Sequence, residues 1–199
     1  MRAGIVDYRM GNLASVSKAF EAAGAEAFVS DEPSRLRSSN LLVLPGVGNF
    51  AAGMENLSSL GLADFVTDWA ADGKPLLGIC MGMQLLFEES DEGPAKGLGI
   101  LPGRVVRLRG DVKVPHMGWN QVDPVRESEL FGSLAGRYFY FVHSYVCEAD
   151  DEAAAARTDY GGEFISAVES GAVYGVQFHP EKSSNDGLAL LRRLIQVVG

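Results

Sequence analysis

Cysteine is scarce in this sequence. The chain of 199 residues carries two, Cys80 and Cys147, which are too few for a disulfide scaffold and lack the Cys-x-x-Cys spacing of many metal sites. Each cysteine is therefore expected to be a free thiol. No cluster of ligand residues suggests a metal, and no organic cofactor is expected.

Positive charge and long apolar runs are also lacking. Lys and Arg total 17 against 26 Asp and Glu, which leaves a net charge of −9, and the longest basic cluster is Arg192-Arg193. Such a chain has no electrostatic footprint for nucleic acid. No apolar run approaches a membrane-spanning length, and the N-terminus lacks signal-peptide architecture. We expect a soluble cytoplasmic protein with no membrane contact.

The size and composition favour one compact domain over residues 1–199. Hydrophobic residues make up 47% and charged residues 22%, an ordinary globular balance. In the first half, short apolar runs typical of buried strands alternate with amphipathic segments. Strands are expected at 3–7, 25–30, 41–44 and 76–79, and helices at 13–23 and 62–71. This alternation predicts an α/β fold with a single open, mixed, mostly parallel sheet flanked by helices.

The second half is rich in strands. Strand patterns cover 104–108, 116–122, 137–145, 153–160, 164–169 and 173–177, and short turns between several of them favour antiparallel pairing. An amphipathic helix is expected at 186–198. Residues 91–96 form the most obvious exposed loop.

Cys80 has the sequence context of a nucleophile. It lies in Gly78-Ile-Cys80-Met-Gly82, between a predicted strand and a run, 83–87, that suits a helix, which is the pattern of a nucleophile elbow. A helix N-terminus or a cationic histidine would favour the thiolate. The pentapeptide also fits a small buried apolar cysteine, a hydrolase or a redox-type protein.

A histidine and a carboxylate follow the strand at 173–177. In Gly175-Val-Gln-Phe-His-Pro-Glu181, residues 179 and 181 point to the same side of an extended backbone. Glu181 can then orient the imidazole of His179, as the third member of a triad does. A surface His-Pro turn with a solvated carboxylate is the alternative, although sites in α/β folds belong at the carboxyl ends of strands.

A glycine-rich turn, Pro45-Gly-Val-Gly48, follows the strand at 41–44. Its main-chain N–H groups can form an oxyanion hole, and glycine would also let the turn switch between two states. An ordinary β-to-α turn fits the same residues. A phosphate loop does not, because no Gly-Lys-Ser/Thr follows.

Together these motifs, in order and spacing, resemble the class I (triad) glutamine amidotransferases over essentially the whole chain. The resemblance implies a flavodoxin-like fold and hydrolysis of L-glutamine to glutamate and ammonia. It implies Cys80 as the nucleophile, His179 as the proton shuttle and Glu181 as its orienting group. Main-chain N–H groups of Val47 or Gly48 and of Met81 would bind the oxyanion. The positions expected around glutamine are Gly46, Gln84, Glu92, His143, Ser144 and Tyr145.

Further segments are similar to one branch of this family, the glutaminase subunits of imidazole glycerol phosphate synthases in histidine biosynthesis. They are Asp7-Tyr8 with Met10-Gly-Asn-Leu13, Pro115-His-Met-Gly-Trp-Asn120, His143-Ser-Tyr145 and Pro180-Glu-Lys-Ser-Ser184. This similarity implies a heterodimer with a (β/α)8-barrel cyclase subunit that receives the ammonia and stimulates the glutaminase. The implied interface residues are Asn12, Pro115, His116, Met117, Trp119 and Asn120.

Two positions depart from the family's pattern. Arg9 stands where glycine is frequent, and it would be strained if the backbone there requires a positive φ. Met81 replaces a common leucine with little change in volume. Three other functions stay open: a subunit of another amidotransferase, such as one for aminodeoxychorismate or pyridoxal phosphate synthesis; a cysteine-elbow hydrolase or stress-type protein; and a regulatory binding subunit that would tolerate Cys80→Ser.

Overall fold

The computed structural model describes residues 1–93 and 95–199. These residues form thirteen strands, six α-helices and two 3-10 helices. The strands are β1 (Arg2–Val6), β2 (Glu26–Ser30), β3 (Leu41–Gly46), β4 (Leu76–Cys80), β5 (Glu89–Ser90), β6 (Ala95–Lys96), β7 (Arg104–Arg107), β8 (His116–Pro124), β9 (Arg137–His143), β10 (Tyr145–Glu148), β11 (Ala154–Asp159), β12 (Glu163–Ser170) and β13 (Val173–Val176). The α-helices are α1 (Leu13–Ala23), α2 (Pro33–Leu36), α3 (Phe50–Ser59), α4 (Leu62–Ala71), α5 (Met81–Gln84) and α6 (Ser184–Val198), and the 3-10 helices cover Gly132–Leu134 and Pro180–Lys182.

The strands join in one mixed sheet. Its main path runs in the order β2-β1-β3-β4-β13-β12-β10-β7-β5-β6, with β11 and the β8–β9 hairpin attached beside β12. Pairing is parallel from β2 to β13 and antiparallel from β13 through β12 and β10 to β7. The mixed sheet with a strand-rich second half is therefore confirmed.

Helices cover both faces of the sheet. On one face, α1 and α6 pack over apolar side chains such as Ile5, Val43 and Ile79. On the other, α3 and α4 cover Leu42 and Leu44. Strands that are buried on both faces have continuous apolar sequences, which is why the first half reads as apolar runs. Among the described residues, no helix has the length and apolar composition to cross a membrane.

Local signals mark both ends of α1, one of the helices that were predicted from the sequence. The Asn12 side chain accepts a hydrogen bond from the backbone N of Ser15, which starts α1, and Gly24 ends it with φ 103°. These are an N-cap and a left-handed C-cap. Helices α1 and α4 have the predicted bounds, and α6 begins two residues before the predicted position 186.

The predicted strand at 137–145 is divided in the structure. It consists of β9 and β10, which are separated at Ser144 and pair with different neighbours: β9 with β8, and β10 with β7 and β12. The carbonyl oxygen of Ser144 accepts a hydrogen bond from the backbone N of Leu108. The division places His143, Ser144 and Tyr145 at a bend beside Cys80 instead of along one straight strand.

Two smaller expectations also need correction. The helix predicted at 83–87 is the single turn α5, which begins directly at Met81. Helices α2 and α3 were not predicted. In the loop predicted at 91–96, residues 95 and 96 form strand β6, which pairs with β5, while Pro94 lies outside the described residues.

Candidate active site

Cys80 occupies a strained turn at the end of β4. Its backbone angles are φ 55° and ψ −113°, in a region that a non-glycine residue enters at a cost of about 1–3 kcal/mol. The residue is only 5% exposed, yet it lines a cavity. A strained, buried residue that opens into a cavity has the geometry predicted for a nucleophile elbow.

Glycines allow the backbone to pass close to this turn. A Cβ on Gly82 would overlap the carbonyl oxygen of Leu44, and a Cβ on Gly78 would lie 2.7 Å from the carbonyl oxygen of Gly82. Strand β3 runs beside β4 with Gly46 paired to Cys80. The glycine-rich turn after β3 is thereby held next to the sulfur.

His179 and Glu181 form a buried pair beyond the end of β13, the neighbour of β4. Nδ1 of His179 lies 2.8 Å from Oε1 of Glu181, and the two side chains are 2% and 3% exposed. Burial alone would lower the pKa of His179. Interactions with Cys80 and Glu181 outweigh burial and raise the pKa to about 10, so the imidazolium is favoured at neutral pH.

The backbone around His179 is fixed by Ser183, a residue to which the sequence analysis gave no role. The Ser183 hydroxyl donates to the carbonyl oxygen of His179 at 2.6 Å and accepts from the backbone N of Tyr140 at 3.0 Å. The backbone N of His179 donates to the carbonyl oxygen of Tyr140. Ser183 thus ties the histidine to β9, and the Lys-Ser-Ser segment after Glu181 was the signal for it.

One nitrogen of His179 remains available. Within the described residues, Nε2 is buried and has no hydrogen-bond partner, and the same is true of Oε2 of Glu181. Because Nδ1 is engaged with Glu181, Nε2 is the atom that can exchange a proton with a reacting group.

A cavity of about 310 Å³ lies beside Cys80. Residues named from the sequence for the nucleophile, the oxyanion hole and the substrate line most of it, and Pro115 and Val142 complete it. The lining consists of Val47, Gly48, Cys80, Met81, Gln84, Glu92, Pro115, Val142, His143, Ser144 and Tyr145. Gly46 does not line the cavity, but a Cβ there would meet the hydroxyl of Tyr8 and the backbone N of Gly82.

The turn after β3 combines a left-handed glycine with an exposed valine. Gly48 has φ 110°, which glycine adopts without strain, and Val47 is 40% exposed. The carboxylate of Glu92 accepts a hydrogen bond from the backbone N of Phe50 at 2.9 Å. This bond ties the loop that carries Glu92 to the start of α3, next to the turn.

Two buried histidines lie against the cavity. His143 lines it, and His116 is 3% exposed, 3.0 Å from His143, and stacked between Phe141 and Tyr160. Burial lowers the pKa of His116 to about 4 and that of His143 to about 3. Both are neutral near pH 7. The His116 side chain faces inward, although the resemblance had implied it as an interface residue.

The other implied interface residues lie near or at the surface. Met117 is 62% exposed and Trp119 is 52% exposed, and by strand register they share one face of the β8–β9 hairpin with Tyr138, Tyr140 and Val142. Pro115 follows a cis peptide bond. Asn12 caps α1, and the Asn120 amide donates to the carbonyl oxygen of Asp159.

Both cysteines are free thiols in the structure. Among the described residues, no group of three or more His, Cys, Asp or Glu side chains is arranged to hold a metal ion.

Comparison with known proteins gives a consistent result. Residues 5–196 match the family described as "Glutamine amidotransferase class-I". The imidazole glycerol phosphate synthase subunit HisH of Methanothermobacter thermautotrophicus is 47% identical over 98% of both chains. The HisH subunit of Symbiobacterium thermophilum is 52% identical over 94% of this chain and 90% of its own.

A solved structure supports the same fold. The structure of PurLQS from Thermotoga maritima has a TM-score of 0.76 with 23% identity, and covers all of this chain and 99% of its own. The resemblance drawn from the motifs is thus confirmed. The chain belongs to the class I glutamine amidotransferase family, within its branch of imidazole glycerol phosphate synthase HisH subunits.

Proposed function

We propose that this glutamine amidotransferase subunit hydrolyses L-glutamine at Cys80, with His179 as the proton shuttle and Glu181 as its orienting partner. One observation carries the proposal. A strained, cavity-lining cysteine interacts with a buried imidazole whose Nδ1 is 2.8 Å from a buried carboxylate. This is the arrangement that nucleophilic catalysis of acyl transfer requires.

The first half-reaction releases ammonia. The Cys80 thiolate attacks the side-chain amide carbon of glutamine and forms a C–S bond, and the carbonyl electrons move onto oxygen. His179 donates its Nε2 proton to the amide nitrogen as the C–N bond breaks, which leaves a γ-glutamyl thioester and NH3. The pKa of about 10 for His179 supports this step, because the imidazolium is present before attack.

The second half-reaction regenerates the enzyme. Neutral His179 takes a proton from water, and the hydroxide oxygen attacks the thioester carbon. Collapse of this intermediate breaks the C–S bond and releases glutamate and the thiolate. Glu181 supports both steps because it holds the Nδ1 proton and stabilises the positive imidazole, without itself being protonated.

Main-chain donors and the cavity walls position the substrate. We assign the oxyanion contacts to the N–H groups of Val47 or Gly48 and of Met81, each worth about 3–4 kcal/mol of barrier. We assign the glutamine contacts to five residues that line the cavity, Gln84, Glu92, His143, Ser144 and Tyr145. Gly46, which the sequence also suggested, does not line it. The volume of about 310 Å³ lies in the range of small-ligand pockets.

The partner of this subunit is the cyclase subunit of imidazole glycerol phosphate synthase, for which we propose a (β/α)8-barrel. We place its docking surface on the exposed side of β8 and β9, formed by Met117, Trp119 and Tyr138. Val142 shares this face by register and lines the cavity, so the surface reaches the reaction site. A sheltered passage keeps ammonia unprotonated, and glutaminase activity would depend on the partner. Two free thiols fit the reducing cytoplasm.

The experiment measures glutamate release from glutamine by the purified chain, alone and with the cyclase subunit and its ribonucleotide ligand. We expect strong stimulation by the liganded partner and its loss in Cys80→Ser. Cys147→Ala removes the other buried cysteine and should keep the stimulated activity. Glutamate release by Cys80→Ser at the level of the unaltered chain would overturn the proposal.

A further inference from the structure

A chain of side-chain amides crosses the interior behind Cys80. Gln84 and Gln177 are 4% and 0% exposed. The Gln84 amide nitrogen donates to the carbonyl oxygen of Tyr145 at 3.0 Å and to Oε1 of Gln177 at 2.9 Å. The amide nitrogen of Gln177 lies 3.7 Å from Sγ of Cys80. This series of hydrogen-bonded amides thus ends at the sulfur of Cys80.

One backbone group, the carbonyl oxygen of Tyr145, determines which atom donates in each of these hydrogen bonds. The carbonyl oxygen of Tyr145 can only accept, so the Gln84 atom that faces it must be the NH2 group. The same NH2 faces Gln177, whose facing atom must then be its oxygen. The Gln177 NH2 group is left pointing at the sulfur. Amide orientation is here set by the hydrogen-bond network, as it must be for any glutamine.

His143 also donates a hydrogen bond to the carbonyl oxygen of Tyr145 and so helps to hold that oxygen in place. Nδ1 of His143 lies 2.9 Å from the same carbonyl oxygen of Tyr145, and as a neutral imidazole it must carry its hydrogen there. The oxygen therefore accepts two hydrogen bonds, which uses both of its lone pairs. It cannot turn away from Gln84 without leaving a buried donor unpaired.

Besides its interaction with His179, the sulfur has two polar contacts that favour opposite protonation states. The carbonyl oxygen of Val142 lies 3.9 Å from Sγ. It can accept from a thiol, but its negative end opposes a thiolate. The Gln177 N–H does the reverse, since a thiolate is a much stronger acceptor than a thiol.

We propose that Gln177 stabilises the Cys80 thiolate through this N–H, and that Gln84 and Tyr145 fix its orientation. The inference rests on the proposed role of Cys80 as the nucleophile. It gives Gln84 a second task besides lining the cavity, because its NH2 group is fully used inside the protein. It also assigns a role to Gln177, which was not among the residues expected at the site.

The test follows alkylation of Cys80 by iodoacetamide against pH in the full chain, with the modified peptide identified by mass spectrometry. Gln177→Met keeps the side-chain length and removes the donor. Other groups near the sulfur are unchanged in this variant; they are Tyr8, Glu92, His143, Cys147, His179 and Glu181. Gln84→Met keeps Gln177 but removes the group that orients it. Circular dichroism checks that each variant folds.

Loss of the donor should raise the midpoint pH of Cys80 alkylation by about one unit in Gln177→Met, because a hydrogen bond to a charged group contributes about that much. Gln84→Met should raise the midpoint pH by a smaller amount. If Gln177→Met does not fold, the result for Gln84→Met tests the inference instead. An unchanged midpoint in a folded variant would overturn this inference while leaving Cys80 as the nucleophile. Unaltered glutamate release by Cys80→Ser would instead overturn the proposed function.

Discussion

The charge on His179 depends on its buried neighbours. Its pKa rises from 6.5 to about 10, so the folded chain binds this proton more tightly than the unfolded chain does. The resulting stabilisation is fully present below pH 6.5 and is lost as the pH rises from 6.5 to about 10.

Glu181→Gln tests this linkage, because it removes the negative charge beside Nδ1. We expect the variant to be less stable than the unaltered chain by at least about 1 kcal/mol at pH 6.5, since one pKa unit corresponds to about 1.4 kcal/mol. The gap should narrow as the pH approaches 10. Urea unfolding at several pH values measures it. Glu127→Gln alters an exposed carboxylate and should show no such trend; a gap for Glu181→Gln that is independent of pH would contradict the account.

Arg9 has the positive φ that the family's frequent glycine at this position suggested. Its φ is 65°, and its backbone N donates to the Asp7 carboxylate at 2.9 Å. A side chain in this left-handed region costs about 1–2 kcal/mol. Arg9→Gly should therefore be more stable to urea than Arg9→Ala by about 1 kcal/mol. The two variants lose the same charge and differ in the Cβ, so equal stabilities would show that the backbone carries no strain.

At the scale of elements, the turn between β4 and α5 depends on close backbone contact. A Cβ on Gly78 would lie 2.7 Å from atoms of Gly82 and Met83, whereas one on Gly132 would meet nothing within 4 Å. We predict that Gly78→Ala lowers the free energy of unfolding by about 1–3 kcal/mol or more and reduces glutaminase activity by displacing Cys80. Gly132→Ala should change stability by no more than about 0.5 kcal/mol. Similar effects of the two substitutions in urea unfolding would be the contrary result.

Several elements with local signals were predictable from the sequence, although α3 was missed despite its N-cap residue Asn49. The break between β9 and β10 was not predicted. Asn12 and Gly24 mark the ends of α1, and alternation of apolar runs with helices gave the parallel half of the sheet. The break at Ser144 depends on a hydrogen bond from Leu108, 36 positions earlier. Such a contact leaves little trace in the sequence, because the apolar run at 138–142 is followed by only two polar residues, His143 and Ser144, before Tyr145.

In the site, too, some features could be predicted from the sequence and others could not. The elbow around Cys80 and the pair of His179 and Glu181 are encoded in short segments, so their geometry could be anticipated. The orientation of the Gln177 amide could not, because it depends on Gln84, 93 positions away. The inward position of His116 was missed for a similar reason: its ring stacks on Phe141, in β9, and on Tyr160, the residue after β11.

At the scale of the whole molecule, we predict that the exposed face of β8 and β9 binds the cyclase subunit. Aromatic residues near the centre of an interface often contribute 2 kcal/mol or more to binding. Trp119→Ala should therefore weaken binding of the cyclase subunit by about tenfold or more, measured by calorimetric titration. Val125 is also exposed, at 46%. It lies six positions after Trp119, which is about 20 Å in an extended chain. Val125→Ala is therefore the control. Equal affinities for both variants would place the docking surface elsewhere.

The most direct test of the central claim is to trap the thioester. The chain, activated by its cyclase partner and ligand, is mixed with glutamine, quenched in acid and digested, and its cysteine peptides are weighed by mass spectrometry. The account predicts a γ-glutamyl adduct on the peptide that contains Cys80 and none on the peptide that contains Cys147. Active turnover with no adduct on Cys80, together with unimpaired glutamate release by Cys80→Ser, would contradict it.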